Sequence, residues 1–366
     1  MWSVPTTLSS DSGRQTQVKV RAAVLAVVVA ASLLQFAPSA SALPPNAKVQ
    51  RYKSGLNFPV DMAHLPGTRT VYFTEKNSGK IRVLNGRKLK RRACATLNVN
   101  STGERGLLGI ALHPRFKQNR YLYVYFTKAS PLQHQVKRFT VRNARCRNPK
   151  VIVSGISADS GGYHNGGQVE FAGGKLFVST GEQHRPSLAQ NRRNRLGKIL
   201  RYNPNGSVPD GNPFNNAVWS YGHRNPFGLA HKPGTTKIYS TENGPNCDDE
   251  FNVIKKGRNY GWGSGYQCGT RGVGSNPKGP DVRWSNIIVP TDPAFYRGKM
   301  KALNGDVYTG DFTGRIRRMV MNKKDTRVRR QRVILSGQGG VTDVMKGPRG
   351  WLYFATTNAI KRIVRK

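Results

Sequence analysis

One hairpin recurs along this chain, and a recurrence at this period decides the fold class before any single residue is weighed. Six times a short strand rich in Tyr, Phe and Val runs into a polar turn. In five of the six copies a second strand follows, alternating Lys or Arg with apolar residues. The copies begin near Val71, Tyr121, Lys175, Lys237, Asp306 and Trp351. The first strands read VYFTEK, YLYVYFT, KLFVSTGE, KIYSTEN, DVYTGDF and WLYFATT, and the clear second strands read KIRVLN, QVKRFTV, KILRYNP, RIRRMVM and AIKRIVR. Six copies between Leu43 and Lys366 are about 54 residues each, near the roughly 40 to 50 of known propeller blades. A two-sheet sandwich also shows many short strands. Long-period copies of one hairpin instead predict an all-β, six-bladed β-propeller, with four-stranded antiparallel blades around a central channel.

No long segment keeps the i, i+3, i+4 apolar spacing free of Gly, Pro or strand-like alternation, so no helix is predicted. Lys48 to Tyr52 and Ala359 to Arg365 both read as strands. They are expected to share one blade and close the ring, which removes exposed sheet edges. A radial array also places chemistry on inter-strand loops at one mouth of the channel.

Residues 1–42 read as a signal peptide. Lys19 and Arg21 precede an uncharged, largely apolar run of fifteen residues, Ala22 to Phe36, and Ala40-Ser41-Ala42 precede Leu43. Fifteen fall short of the roughly 20 that span a bilayer, so cleavage after Ala42 is expected, with no transmembrane segment afterwards. Residues 43–366 then form the propeller domain of a secreted protein. Cys94, Cys146, Cys247 and Cys268 suit an oxidising compartment; of three pairings, nearness favours Cys94–Cys146 and Cys247–Cys268.

The 60 Lys and Arg against 18 Asp and Glu give +42, or +40 after the leader. Hydrophobic residues at 37% supply a core, which excludes a disordered basic tail. The densest runs, Arg87 to Arg92 and Arg315 to Arg332, lack the interleaved stacking aromatics of a nucleic-acid reader. They are expected to be solvated faces, with no specific nucleic-acid binding. Loose adhesion to an acidic extracellular polymer is the partner such charge implies.

Three loops look chemical. Tyr163-His164-Asn165-Gly166-Gly167-Gln168 sets a histidine on a glycine-flanked loop, and Thr180-Gly181-Glu182 brings a carboxylate one hairpin later. Together they are the material of a general base oriented by an acid. In Tyr221 to Gly228, Pro and Gly bracket Arg224 and Asn225, a cation and an amide suited to an anionic ligand or a developing oxyanion. In Glu242 to Glu250, four of the eighteen carboxylates fall within nine residues. Those carboxylates and the carbonyls beside Gly244-Pro245 are hard oxygen donors of the kind calcium takes. The alternative is that the acids bond loop amides or offset nearby Lys and Arg.

Five stretches, GERGLLGIALHPRF from Gly103, YHNGGQVEF from Tyr163, LGKILRYNPNGSVPDGNPF from Leu196, YGHRNPFGLA from Tyr221 and TENGPNCDDEFNVIKKGRNYGWG from Thr241, occur in one order. In them the chain resembles the glucose/sorbosone dehydrogenase family of soluble quinoprotein propellers. The resemblance implies oxidation of an aldose by pyrroloquinoline quinone with calcium. By position, His164 would take the proton of the anomeric hydroxyl and Glu182 would orient it. Arg224 and Asn225 would lie over the cofactor, and Glu104 would contact its edge. The carbonyls of Gly244 and Pro245 would hold calcium, with Asp248, Asp249 and Glu250 as candidate side-chain ligands.

The chain departs from the family at three cationic positions. Gly310-Asp311-Phe312-Thr313-Gly314 stands where a lysine is usual, and Gly340-Val341-Thr342-Asp343-Val344 where two arginines are. Tyr163 also replaces an aspartate beside the base. Arg297, Lys299 or Lys301 would have to compensate from another loop. These gaps frame the alternative function, a non-catalytic secreted propeller that binds a glycan or protein partner.

Overall fold

The computed structural model describes residues 43–366; the expected leader lies outside the described residues. Six blades surround a channel. Blade 1 comprises Pro59–His64, Thr70–Glu75 and Lys80–Asn85, with Lys88–Leu89 and Ala95–Thr96 both paired to the third strand. Blade 2 is Leu107–Leu112, Tyr121–Lys128, Gln133–Arg142 and Arg145–Ser157. Blade 3 is Val169–Ala172, Lys175–Thr180, Lys198–Tyr202 and Val218–Tyr221. Blade 4 is Gly228–His231, Ile238–Glu242, Asp249–Ile254 and Val282–Trp284. Blade 5 is Pro290–Tyr296, Asp306–Asp311, Ile316–Met321 and Val328–Leu335. Blade 6 is Val341–Lys346, Leu352–Thr356 and Ala359–Arg365, completed by the early strand Ala47–Ser54.

The repeated hairpin is therefore the second and third strand of each blade. The exception is blade 4, whose third strand, Asp249–Ile254, begins inside the acidic segment read as a loop. Acidic residues are poor strand formers, but here all six residues of the strand are buried, and Glu250 to Ile254 pair along Ile238–Glu242 while Asp249 pairs with Trp284. The expected absence of helices meets two single turns, Phe116–Asn119 and Pro186–Gln190.

Blades pack face to face through alternating residues. Phe73, Leu84, Met345, Tyr353 and Ile360 fill the seam between blades 6 and 1, and Tyr239, Phe251, Phe295, Val307 and Met319 fill that between blades 4 and 5. Threonines add hydrogen bonds from blade to blade. Thr74 Oγ1 donates to Leu108 O at 2.6 Å, Thr241 Oγ1 to Thr291 O at 2.9 Å, and Thr342 Oγ1 to Pro59 O at 2.7 Å. Such bonds satisfy buried hydroxyls and carbonyls that have no water to turn to.

The ring closes as expected, with Ala47 opposite Arg365 and Ser54 opposite Ala359. Arg87, Lys88, Lys90, Arg91 and Arg92 are all exposed, and in Val328–Leu335 the arginines 329, 330 and 332 also face solvent. Among the described residues no helix is long and apolar enough to cross a membrane.

Both disulfides join as Cys94–Cys146 and Cys247–Cys268. The first ties the rim of blade 1 to the outer strand of blade 2, where Cys146 N also donates to Cys94 O at 2.8 Å. Its ends are 52 residues apart, and closing a loop of that length restricts the unfolded chain by about 4 kcal/mol. Replacing Cys94 and Cys146 together by Ser should lower the unfolding free energy by about that amount in urea titrations. An unchanged midpoint would show that the blade edges hold without the bridge.

Candidate active site

In an antiparallel blade the start of the innermost strand and the end of the second strand lie at the same rim of the sheet. That geometry gathers the candidate residues. Glu104, His164 and Arg224-Asn225 precede the innermost strands of blades 2, 3 and 4, while Glu182 and Gly244 follow the second strands of blades 3 and 4.

His164 has φ 52°, in the left-handed region that a residue with a Cβ disfavours by about 1–3 kcal/mol. Its neighbours hold it there. The His164 amide donates to Glu104 Oε2 at 2.9 Å, Gln183 Nε2 donates to His164 O at 2.8 Å, and the Gly166 amide donates to Asn225 Oδ1 at 3.0 Å. Asn225 Nδ2 donates to the same Glu104 oxygen at 3.1 Å, so one carboxylate joins loops of three blades. Gly109 is a further support. Its amide donates to Gly167 O at 2.9 Å, and a Cβ on it would sit 2.6 Å from that oxygen.

His164 Nδ1 is hydrogen-bonded to Glu182 Oε1, which leaves Nε2 as the nitrogen available to take a proton. Glu182 is 1% exposed. Its Oε1 also accepts the His184 amide at 3.1 Å, while Oε2 has no hydrogen-bond partner among the described residues. The His184 ring lies 4.1 Å from that of His164, between centroids. Tyr163, half exposed, lies beyond it.

Arg224 is held from behind. Its amide donates to Glu242 Oε1, and Glu242 Oε2 accepts from His223 Nδ1 at 2.8 Å. His223 Nε2 lies 2.9 Å from Ser220 Oγ, so a serine, histidine and glutamate are aligned, but all three are buried and act as a strut. The Arg224 guanidinium stands 5.3 Å from the Trp262 ring and donates to Asn243 O at 3.0 Å and Gly244 O at 2.6 Å. Burial lowers the Arg224 pKa, and Glu182, Glu104, Glu242 and Asp249 work against that fall. Arg224 Nε and Trp262 Nε1 are buried with no hydrogen-bond partner among the described residues.

The acids after Gly244 are taken up by protein partners, most of them outside their own loop. Asp248 Oδ2 accepts from Tyr266 Oη at 2.9 Å, and Oδ1 lies 3.6 Å from Arg283 Nε. Asp249 accepts the amides of Gly244 at 2.8 Å, Ile288 at 2.6 Å and Val289 at 2.8 Å. Burial raises its pKa, and those amides pull it back. Glu250 accepts from Asn252 Nδ2 at 2.9 Å; burial, then the nearby Glu242, push its carboxyl up to about 8. Pro245 is exposed, and Cys247–Cys268 tethers the loop.

Where cations were missed, Phe312 is 41% exposed, Gly340 packs against its ring and Thr342 is buried. Arg297, Lys299 and Lys301 do not compensate. They lie between Tyr296 and Asp306, a connection at the far end of the innermost strand, with Lys299 Nζ over the Trp351 ring. A different cation stands at the mouth. Lys76 follows the second strand of blade 1, donates to Asn77 Oδ1 at 3.0 Å and Ser101 O at 3.2 Å, and feels the charge of Glu104. It was legible in the repeat, because Lys76 and Glu182 each stand two residues after the threonine of the repeated motif, Thr74 in VYFTEK and Thr180 in KLFVSTGE.

The family model for Glucose / Sorbosone dehydrogenase matches residues 56–365. The aldose sugar dehydrogenase of Escherichia coli is 28% identical over 88% of this chain and 94% of its own. Quinoprotein glucose dehydrogenase B of Acinetobacter calcoaceticus is 31% identical over 64% of this chain and 58% of its own length. The solved PQQ-bound aldose sugar dehydrogenase of Streptomyces coelicolor superposes with a TM-score of 0.76 at 28% identity, over 89% of this chain and 100% of that one. On this span of matched residues, and with the same propeller, the chain belongs to the glucose/sorbosone dehydrogenase family.

Proposed function

We propose that the chain is a secreted dehydrogenase that oxidises the anomeric CH–OH of an aldose, with His164 as the base and pyrroloquinoline quinone and calcium as cofactors. The observation that carries this reading is the His164–Glu182 pair beside Arg224 at one mouth of the channel. The two disulfides fit the export that the leader argues.

The residues present fit such a cofactor. Three buried polar atoms around the mouth, Arg224 Nε, Trp262 Nε1 and Glu182 Oε2, have no partner among the described residues, a state that a polar ligand would relieve. Arg224, Asn225, Glu104 and Lys76 would hold the quinone. The Gly244 carbonyl, which keeps a second lone pair beside its bond to Arg224, would hold calcium with Pro245 O. When bound, quinone and calcium supply a two-electron acceptor polarised by a Lewis acid.

The protein supplies the proton path. His164 Nε2 takes the proton of the anomeric hydroxyl as the carbon–hydrogen bond breaks, and the product is the lactone. Glu182 fixes the tautomer that leaves Nε2 free, then stabilises the imidazolium. The left-handed backbone at His164, held through Glu104 and Gln183, keeps the ring in place.

The gaps at Phe312, Gly340 and Thr342 favour the second reading, a propeller that binds a glycan or protein without chemistry. Quinone titration with calcium, followed by dye reduction with aldoses, separates the two. Folded protein that neither binds quinone nor turns over would leave the second reading standing.

H164A is expected to lose about 10²- to 10⁴-fold in kcat while quinone affinity holds, because a general base contributes on that scale. A parallel loss of quinone binding would assign His164 to the cofactor alone. K76A is expected to weaken quinone about tenfold or more, the worth of one charge-assisted contact, with kcat unchanged at saturating quinone. An unchanged quinone titration would remove Lys76 from the site.

A further inference from the structure

Well inside the channel, the innermost strands of blades 1, 5 and 6 each bring one residue to a common level. Asp61, Asp292 and Asp343 are each the third residue of their strands, in blades 1, 5 and 6. Glu170 occupies the second position in blade 3. One carboxylate oxygen from each aspartate lies within 4.8 Å of the others, and all three residues are buried.

Their hydrogen bonds do not neutralise them. Asp61 accepts the amides of Met62 and Ile110, both at 2.6 Å, and Asp292 accepts that of Leu229 at 2.8 Å. Asp343 is 1% exposed, and both of its oxygens are buried without a hydrogen-bond partner among the described residues. The amides of Met62 and Val344 lie near enough to ease its charge, but not in hydrogen-bonding geometry. Among the described residues no lysine or arginine pairs with any of the three, although the chain has 60. His231 faces Glu170 instead, at 3.1 Å.

Three like charges this close in a buried site cannot all persist without a counter-charge. Burial pushes Asp61 up to about 8 and raises Asp292 and Asp343 as well, Glu170 adding to each. Protons or a cation must fill the deficit. The donor set is all oxygen, each amide-bonded oxygen keeps a lone pair, and Asp343 offers both of its own, which suits a hard divalent ion. The aspartates also line a cavity of about 1030 Å³ that opens at the mouth opposite His164, with room for the waters calcium retains.

We propose that Asp61, Asp292 and Asp343 bind a structural calcium ion at the waist of the channel, separate from the cofactor mouth. The ion joins blades 1, 5 and 6, so it fastens the ring on the side where the chain ends meet.

The test uses the full chain without quinone, so it stands whether or not Gly244 takes calcium. Metal content is measured by mass spectrometry after gel filtration from calcium-containing buffer, in wild type, D343N and D292N. Melting is followed with calcium and with EDTA. Wild type is expected to carry one calcium more than either variant, and a hundredfold excess over Kd should raise its Tm by about 4 °C, a rise absent in the variants. Equal calcium in all three proteins, or a D343N that melts at or above wild type in both buffers, would overturn the site in favour of protonated carboxyls. Should D343N fail to fold, D292N carries the same comparison. If neither folds, the wild-type protein decides by itself: no bound calcium and no melting response to EDTA overturns the proposal.

Discussion

All six innermost strands run the same way through the channel, and the rest of the molecule follows from that shared direction. It sends the start of every innermost strand, and the end of every second strand, to one mouth. Residues far apart in sequence, such as Glu104 and Asn225, then meet on one hydrogen bond. It also aligns the third residues of blades 1, 5 and 6, so that Asp292 and Asp343 stand in parallel register at the axis. A twisted antiparallel blade cannot bury both faces alone, so the seams between blades carry the apolar core and the threonine bonds that fix this alignment.

The mouth is organised around few cations and many acceptors. Arg224 is surrounded by four carboxylates, yet among the described residues only the carboxylate of Glu242 is hydrogen-bonded to it, at the backbone amide. The glutamates divide the labour by what each one holds. Glu182 holds a ring nitrogen, Glu104 holds two loops, and Glu242 holds the turn that carries Arg224. Removing any of them leaves a buried donor unanswered, a loss of about 1–3 kcal/mol and of position together.

Much of this was legible in the sequence, because a propeller writes itself as a period. The five clear second strands appear where read, and Lys80–Asn85 and Ala359–Arg365 match to the residue. The innermost strands escaped because they are as short as four residues and are flanked by glycine, which hides alternation. Asp249–Ile254 escaped because its acids look like a loop until their partners are known. The loops that carry His164, Glu182 and Arg224 were visible as types. Which side chains face the mouth was not, since that depends on loop connections: Arg297 and Lys299 sit at the wrong end, and Lys76 sits at the right one.

The closing blade has one more consequence. Its first and last strands leave it side by side, Ala47 across from Arg365. A mechanical load applied between the two ends therefore acts across the strands and not along them. It peels the hydrogen bonds one pair at a time, in the manner of a zip, and each pair resists alone. Tethered by both ends, the molecule would open at this seam first, while blades 3 and 4, which follow His164 and Arg224 and lie three and two blades away, were still shut.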